Sequence, residues 1–253
     1  MSTVTAISSS TLYASRISRV RQEMKRLSLD AAILSVGHDL PYLTGYYAMP
    51  LERLTMLVIT HESSAALVVP RLEAPRVTPF DEVFRIVPWG ETENPVSIVA
   101  KLLGGAKNIA VGDHMSARFL VELMTFISGA TFVRAVDVVG PMRMAKDSAE
   151  ITALQAAGAA ADRVATQLQA GEIHLVGRTE AQVSADISAR LIAEGHDIVN
   201  FAIVAAGENA ASPHHHAGPR VIQKNEIVLC DFGGTMNGYC SDITRCVYIG
   251  TPP

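Results

Sequence analysis

The chain has 253 residues, of which 49% are hydrophobic and 18% charged, and its formal net charge is −4. This length allows one large domain or two smaller ones, each with a real hydrophobic core. The slightly negative net charge argues against the basic surface that is typical of nucleic-acid-binding proteins, so we expect no nucleic-acid partner.

No apolar run approaches the roughly 18 residues of a membrane-spanning helix, so we expect no membrane partner. The segment before residue 27 lacks the apolar stretch of a signal peptide, which predicts a cytoplasmic protein. The three cysteines have no CxxC spacing, and their odd number predicts free thiols: Cys230, Cys240 and Cys246.

Apolar runs and helical patterns alternate along the first part of the chain. A helical stripe with spacings of three and four residues comes first, formed by Tyr13, Ile17, Val20, Met24 and Leu27. Strands are then predicted at residues 31–36, 54–60, 64–70, 84–89, 108–113 and 131–139, and helices at residues 95–103 and 116–127. This alternation predicts an α/β domain with a mixed or mostly parallel sheet.

The composition changes near Gly140, where we place a domain boundary between residues 1–140 and 141–253. Beyond it, a capping box at Asp147 or Ser148 predicts the start of a long Ala-rich helix that ends near residue 169.

A second helix and a strand precede the segment that carries the candidate chemistry. Thr179 suits the N-cap of this helix and Gly195 its C-terminal end. The strand is predicted at residues 200–207, and a polar loop containing three consecutive histidines follows it.

The stretch CDFGGTMNGYCSDITR is predicted to form a β-hairpin that carries two aspartates. A turn centred on its Asn-Gly pair places Asp231 opposite Thr244, whereas a turn one residue earlier places Asp231 opposite Asp242. Either register puts both carboxylates on one face, roughly 5–8 Å apart at Cβ. A divalent metal ion would offset their repulsion, and the alternatives are a shared proton, compensation by Arg245 or a merely solvated hairpin.

The histidine loop and this hairpin together resemble a known enzyme family. The segment GENAASPHHHAGPRVIQKNEIVLCDFGGTMNGYCSDITRCVYIG resembles the pita-bread metallopeptidases, Xaa-Pro aminopeptidase, prolidase and their relatives. LPYLTGY resembles a motif of their creatinase-like N-terminal domain, and MRMAKDSAEITALQAAGAAAD resembles the junction that opens their catalytic domain. The resemblance covers nearly the whole chain and implies a creatinase-like N-terminal α/β domain followed by the first half of a pita-bread domain.

The resemblance also implies roles for individual residues. Asp231 matches the first metal-ligand aspartate, and Asp242 matches the aspartate that bridges two metal ions. His214 matches the histidine that binds the substrate or the developing oxyanion, and its two neighbours in the loop are less close matches. The family site has three further ligands, one His and two Glu, downstream of the hairpin. The sequence ends at Pro253, so we expect a C-terminally truncated chain that is inactive alone.

The resemblance implies an Xaa-Pro metallopeptidase of the aminopeptidase P or prolidase type, acting on peptides with proline at the second position. Its cofactors would be two divalent ions, first Mn²⁺ and otherwise Co²⁺ or Zn²⁺, and its assembly a homodimer. The alternative is a non-catalytic interaction or dimerisation protein derived from this family. A metal-free creatinase-like hydrolase is a third hypothesis, against which the aspartate pair argues.

Overall fold

The computed structural model describes residues 9–62 and 64–251, and the chain folds into two compact units that divide between Ala145 and Lys146. The boundary expected at Gly140 lies instead inside a helix that belongs wholly to the first unit. Val138 and Met142 of this helix are buried in the core of that unit, so the unit continues to the end of the helix.

The first unit is an α/β domain. Its described helices are α1 (Ser9–Arg26), α2 (Asp39–Thr44), α3 (Pro95–Leu102), α4 (Ala117–Phe126) and α5 (Val136–Met144), with a short 3-10 helix at Ala74–Arg76. Its strands are β1 (Ala31–Ser35), β2 (Met56–Thr60), β3 (Ala65–Pro70), β4 (Phe84–Trp89), β5 (Asn108–Val111) and β6 (Thr131–Arg134). They form one sheet in the order β4-β3-β2-β1-β5-β6. The pairs β1–β2 and β2–β3 are antiparallel and the others parallel, which confirms a mixed sheet.

Both faces of this sheet are covered, because side chains of a strand alternate between its two faces. In β1, Ala32 and Leu34 belong to a core with α1, α2 and α5, whereas Ala31 and Ile33 belong to a second core with α3 and α4. The apolar stripe predicted for α1 supplies three fully buried side chains to the first core: Ile17, Val20 and Met24.

The predicted strand at residues 131–139 is wrong beyond Arg134, where β6 ends and α5 soon begins. Valine favours strands, which is why the run suggested one. However, Val138, Val139 and Met142 all lie in one core. Consecutive residues of a strand point to opposite faces, whereas a helix can direct positions i, i+1 and i+4 to one side. Burial of this helical face overrides the local preference.

The second unit packs two helices against an antiparallel sheet. Its helices are α6 (Ser148–Gln169) and α7 (Glu180–Ala193), and its strands are β7 (Ile198–Ala206), β8 (Ile227–Met236), β9 (Tyr239–Cys240) and β10 (Ile243–Tyr248), with a 3-10 helix at Gly207–Ala211. The strand order is β10-β8-β7, and β9 pairs with β8. Both predicted helix starts are confirmed, since Asp147 and Thr179 each form a capping box with the residue three positions later.

The two helices cover one face of this sheet. Val204, Cys230 and Phe232 point into the core that α6 and α7 share. Asp231 lies between Cys230 and Phe232 in β8, so its side chain points to the opposite face. Among the helices of the described residues, none is both long and apolar enough to cross a membrane.

Candidate active site

The hairpin adopts the first of the two predicted registers. Asp231 pairs with Thr244 and Met236 pairs with Tyr239, so the turn is centred on the Asn-Gly pair at residues 237 and 238. Both turn residues have positive φ, 50° and 81°, as a tight turn that follows the twist of a hairpin requires. Asp231 therefore lies opposite Thr244 and not opposite Asp242.

The second strand of the hairpin is interrupted just before Asp242. Ser241 is buried, its amide donates to the Gly234 carbonyl at 2.9 Å, and its hydroxyl contacts His196 Nε2 at 2.8 Å. A Cβ on Gly233 would lie only 2.1 Å from the Ser241 carbonyl oxygen. The glycine thus allows the close backbone approach that positions the interruption, and with it Asp242.

One cavity of about 630 Å³ brings the predicted site residues together. Asp231, Asp242 and His214 all contribute to its wall, together with residues of β7, α7 and the histidine loop: Ser184, Asn200, Phe201, Ala202, Ile203, His215, His216 and Ala217. All of them belong to the second unit. The cavity therefore combines two carboxylates and imidazole rings with an apolar wall, which suits a small polar ligand with an apolar part.

Asp231 is oriented by its partner in the hairpin. The Thr244 hydroxyl donates a hydrogen bond of 2.9 Å to Asp231 Oδ1. The other carboxylate oxygen, Oδ2, makes no hydrogen bond within residues 9–62 and 64–251, and its lone pairs are available to a ligand of the cavity.

The histidine loop, residues 212–219, is held by side chains that the sequence did not reveal. Glu180, the first residue of α7, accepts a hydrogen bond of 2.8 Å from His215 Nε2. Arg220, directly after the loop, pairs with Glu208 at 2.9 Å and with Glu226 at 2.8 Å. An acidic residue at a helix start is so common that Glu180 gave no sequence signal of this contact.

These contacts shift the pKa values of the carboxylates around the loop. Burial raises the pKa of Glu180, but the hydrogen bonds that it accepts outweigh burial and hold its pKa below the ordinary value. Hydrogen bonds from Arg220 likewise lower the pKa values of Glu226 and Glu208. The loop is thus anchored by carboxylates that stay charged at neutral pH.

The three cysteines are free thiols, as predicted. Burial, and to a lesser degree the nearby Cys246, raise the pKa of Cys230 to about 12. Cys230 therefore serves as a core residue and not as a nucleophile or metal ligand.

The chemistry of the donor set fits a hard divalent ion in part. Asp231 and Asp242 offer carboxylate oxygens, which such ions prefer. Within residues 9–62 and 64–251, no group of three or more His, Cys, Asp and Glu side chains is arranged to bind a metal ion. Two carboxylates alone would be an incomplete ligand set for such an ion.

The chain is similar to known protein families over most of its length. The family model of the creatinase/prolidase N-terminal domain matches residues 16–145, and that of metallopeptidase family M24 matches residues 152–253. The chain is 39% identical over 246 residues to a probable dipeptidase PepE of Mycobacterium tuberculosis, covering 95% of this chain and 65% of the relative. A putative dipeptidase YkvY of Bacillus subtilis is 32% identical, covering 91% and 64% of the two chains.

Solved structures agree in fold. Dipeptidase PepE from Mycobacterium ulcerans superposes with a TM-score of 0.89 at 38% identity, covering 98% of this chain and 67% of that one. A recombinant prolidase from Thermococcus sibiricus superposes with a TM-score of 0.87 at 29% identity, covering 98% and 68%. The chain therefore spans about two thirds of the length of these proteins.

The fold is that of a creatinase-type first domain followed by part of a pita-bread second domain. The protein belongs to the creatinase/prolidase N-terminal domain family and to metallopeptidase family M24, as the sequence resemblance predicted.

Proposed function

We propose that this protein is an Xaa-Pro metallopeptidase of the dipeptidase type. The observation that carries the proposal is the convergence of Asp231, Asp242 and His214 on one cavity. The names of its relatives, probable dipeptidase and prolidase, support a peptide substrate. A peptide with proline at the second position suits a dedicated pocket, because the tertiary amide lacks an N–H and its ring fixes the backbone.

In this proposal Asp231 and Asp242 bind divalent ions, with Mn²⁺ as the first choice and Co²⁺ or Zn²⁺ as alternatives. When bound, two such ions activate a water molecule and polarise the scissile carbonyl. Thr244 keeps the Asp231 carboxylate in a fixed orientation through its hydrogen bond. His214 donates a hydrogen bond to the substrate or to the oxyanion that develops during hydrolysis.

We further propose that residues 1–253 by themselves bind metal weakly and do not turn over, because among the described residues the cavity wall has two carboxylates, Asp231 and Asp242. A homodimer and a cytoplasmic location remain predictions from the sequence and the family. A non-catalytic interaction protein is not favoured, since the relatives are named as peptidases.

The test is a chimera in which this chain is continued by the part of Mycobacterium ulcerans PepE that lies beyond the aligned region. With Mn²⁺ we expect hydrolysis of Ala-Pro, abolished by chelation and reduced at least about a hundredfold in Asp231→Asn and Asp242→Asn. Asp81→Asn, which changes an exposed aspartate of the first unit that makes no hydrogen bond within residues 9–62 and 64–251, is the control and should leave the rate unchanged. A folded chimera that binds Mn²⁺ but does not cleave Ala-Pro would contradict the proposal.

A further inference from the structure

Glu180 is a buried carboxylate that the proposed chemistry does not use. Its relative exposure is 0%, and it does not cap its own helix, since Thr179 and Gln182 form the capping box of α7. A buried carboxylate is costly unless it is hydrogen-bonded. The partners of Glu180 therefore show what this charge does.

Four donors converge on Glu180 from the segment around the histidine loop. Its Oε1 accepts from the Ala206 amide and from Asn209 Nδ2, both at 2.9 Å. Its Oε2 accepts from His215 Nε2 at 2.8 Å and from the Gly218 amide at 3.3 Å. These donors lie before, within and near the end of residues 212–219. The Glu180 side chain thus holds the loop and the segment before it through four hydrogen bonds.

The three histidines are consequently not equivalent. A carboxylate only accepts hydrogen bonds, so His215 must carry its proton on Nε2, and its side chain is only 18% exposed. His214 and His216 are exposed and make no hydrogen bond within residues 9–62 and 64–251. His214 also has a positive φ of 57°, which turns the chain sharply beside its anchored neighbour. The fixed ring of His215 thus leaves the ring of His214 free to bind a ligand.

We propose that Glu180 is a positioning residue, which fixes the histidine loop through His215 and so presents His214 to the cavity. The effect on catalysis rests on the proposed function, whereas the effect on the loop does not. Glu180 itself is not among the residues that line the cavity, and its described hydrogen bonds do not include Asp231 or Asp242.

The variant Glu180→Gln tests this role with almost no change of shape. Its single amide oxygen can accept at one position only, so when it retains Ala206 and Asn209 it loses the Gly218 amide. The glutamine N–H then faces His215, which can no longer donate from Nε2 and can pair only by moving its proton to Nδ1. Glu150→Gln is the matched control. Glu150 is also a buried acid near a helix start, 5% exposed, and it bonds Tyr239 and the Asp147 amide instead of the loop.

The test is hydrogen exchange, measured by NMR in the 253-residue chain for single amides and for the His215 imidazole proton. Glu180→Gln should accelerate exchange of the Gly218 amide by about tenfold, as expected for a lost hydrogen bond to a charged group. The Ala206 amide should keep its protection, and the slowly exchanging His215 Nε2 proton should disappear, either by rapid exchange or by a shift of the proton to Nδ1. Wild-type exchange at both Gly218 and His215 in Glu180→Gln would overturn the proposal.

A second pair of variants leaves the buried charge in place. His215→Gln keeps a side-chain amide that can donate to Glu180, whereas His215→Ala does not. Exchange of the Gly218 amide should accelerate in His215→Ala and stay close to wild type in His215→Gln. Equal exchange in the two variants would also overturn the proposal.

The catalytic consequence is tested in the chimera with Ala-Pro. Glu180→Gln should lower kcat/KM at least about tenfold while the affinity for Mn²⁺ stays unchanged, because Asp231 and Asp242 are not touched. A merely structural role would lower metal affinity and kcat/KM together. Inactivity of the unsubstituted chimera would contradict the proposed function, and the exchange results would still decide the positioning role.

Discussion

At the scale of single residues, the chemistry of the site depends on which side chains are fixed and which are free. Thr244 orients Asp231, and Glu180 holds His215. The imidazole of His214 makes no hydrogen bond within residues 9–62 and 64–251. The family resemblance matches His214, the first of the three histidines and the one that follows a proline, to the histidine that binds the substrate. The structure separates His215, which Glu180 holds, from His214 and His216, whose rings make no hydrogen bond to the described part of the chain.

The charge of Glu180 leads to a prediction of acid sensitivity. Its pKa is lowered in the folded chain from the ordinary value of 4.5. Its stabilising contribution is therefore present in full above about pH 4.5 and is lost as the pH falls through the lowered value. Glu180→Gln lacks this titration. Denaturant unfolding should show that wild type exceeds Glu180→Gln in stability near pH 7, with a difference that shrinks below pH 4.5.

Other carboxylates also titrate in this range, so the comparison must be made between variants. Glu226 and Asp186 have lowered pKa values as well, through their hydrogen bonds to arginine side chains. They contribute equally to wild type and to Glu180→Gln, and their effect cancels in the difference. A difference in stability that is constant from about pH 7 to about pH 3 would contradict the assigned role of the Glu180 charge.

At the scale of elements, the interruption between β9 and β10 is the feature that shapes the site. It places Asp242 outside a regular strand while Asp231 stays within one. Gly233 of β8 allows it, since a Cβ there would meet the Ser241 carbonyl. The adjacent Gly234 allows the close approach of β7, since a Cβ there would lie 2.5 Å from the Ile198 carbonyl oxygen. Side chains at either position would push the backbones apart.

Gly233→Ala should therefore destabilise the second unit by at least about 3 kcal/mol, because its Cβ meets rigid backbone. Gly158→Ala is the control. Gly158 lies in α6, and a Cβ there has no neighbouring atom within 4 Å. Alanine should stabilise this helix by roughly 0.5–1 kcal/mol. Denaturant unfolding measures both, and similar effects of the two substitutions would show that the close approach at Gly233 is unimportant.

At the scale of the whole molecule, the two units differ in how their sheets are covered. The sheet of the first unit has a hydrophobic core on each face. The helices of the second unit share one core on one face of a smaller sheet. Since folding stability grows with the apolar area that is buried, the first unit should be the more stable of the two.

We expect a fragment of residues 1–145 to unfold cooperatively and at a higher denaturant concentration than a fragment of residues 146–253. Circular dichroism of both fragments in a denaturant series measures this. The full chain should then show two transitions whose midpoints follow the order of the fragments. An unfolded first fragment beside a stable second one would contradict this view of the two cores.

Much of this protein is determined by local sequence. The helical stripe of α1, the capping boxes at Asp147 and Thr179, and the Asn-Gly turn each depend on contacts within a few residues, and all were predictable. The side of the sheet to which Asp231 points follows from alternation along β8, whereas Asp242 reaches the same cavity from the interruption between β9 and β10. The family could be predicted because its hairpin motif combines these local features in a fixed order.

Only the tertiary structure decided the rest, because the deciding contacts join residues far apart in the chain. Burial of Val138 and Met142 in a core made from other elements turned a predicted strand end into α5. Glu180 and His215 meet across 35 positions, and no local pattern announces a buried carboxylate under a distant loop. The sequence by itself predicted which residues could act, and the tertiary contacts decided that His215 is the histidine held by Glu180.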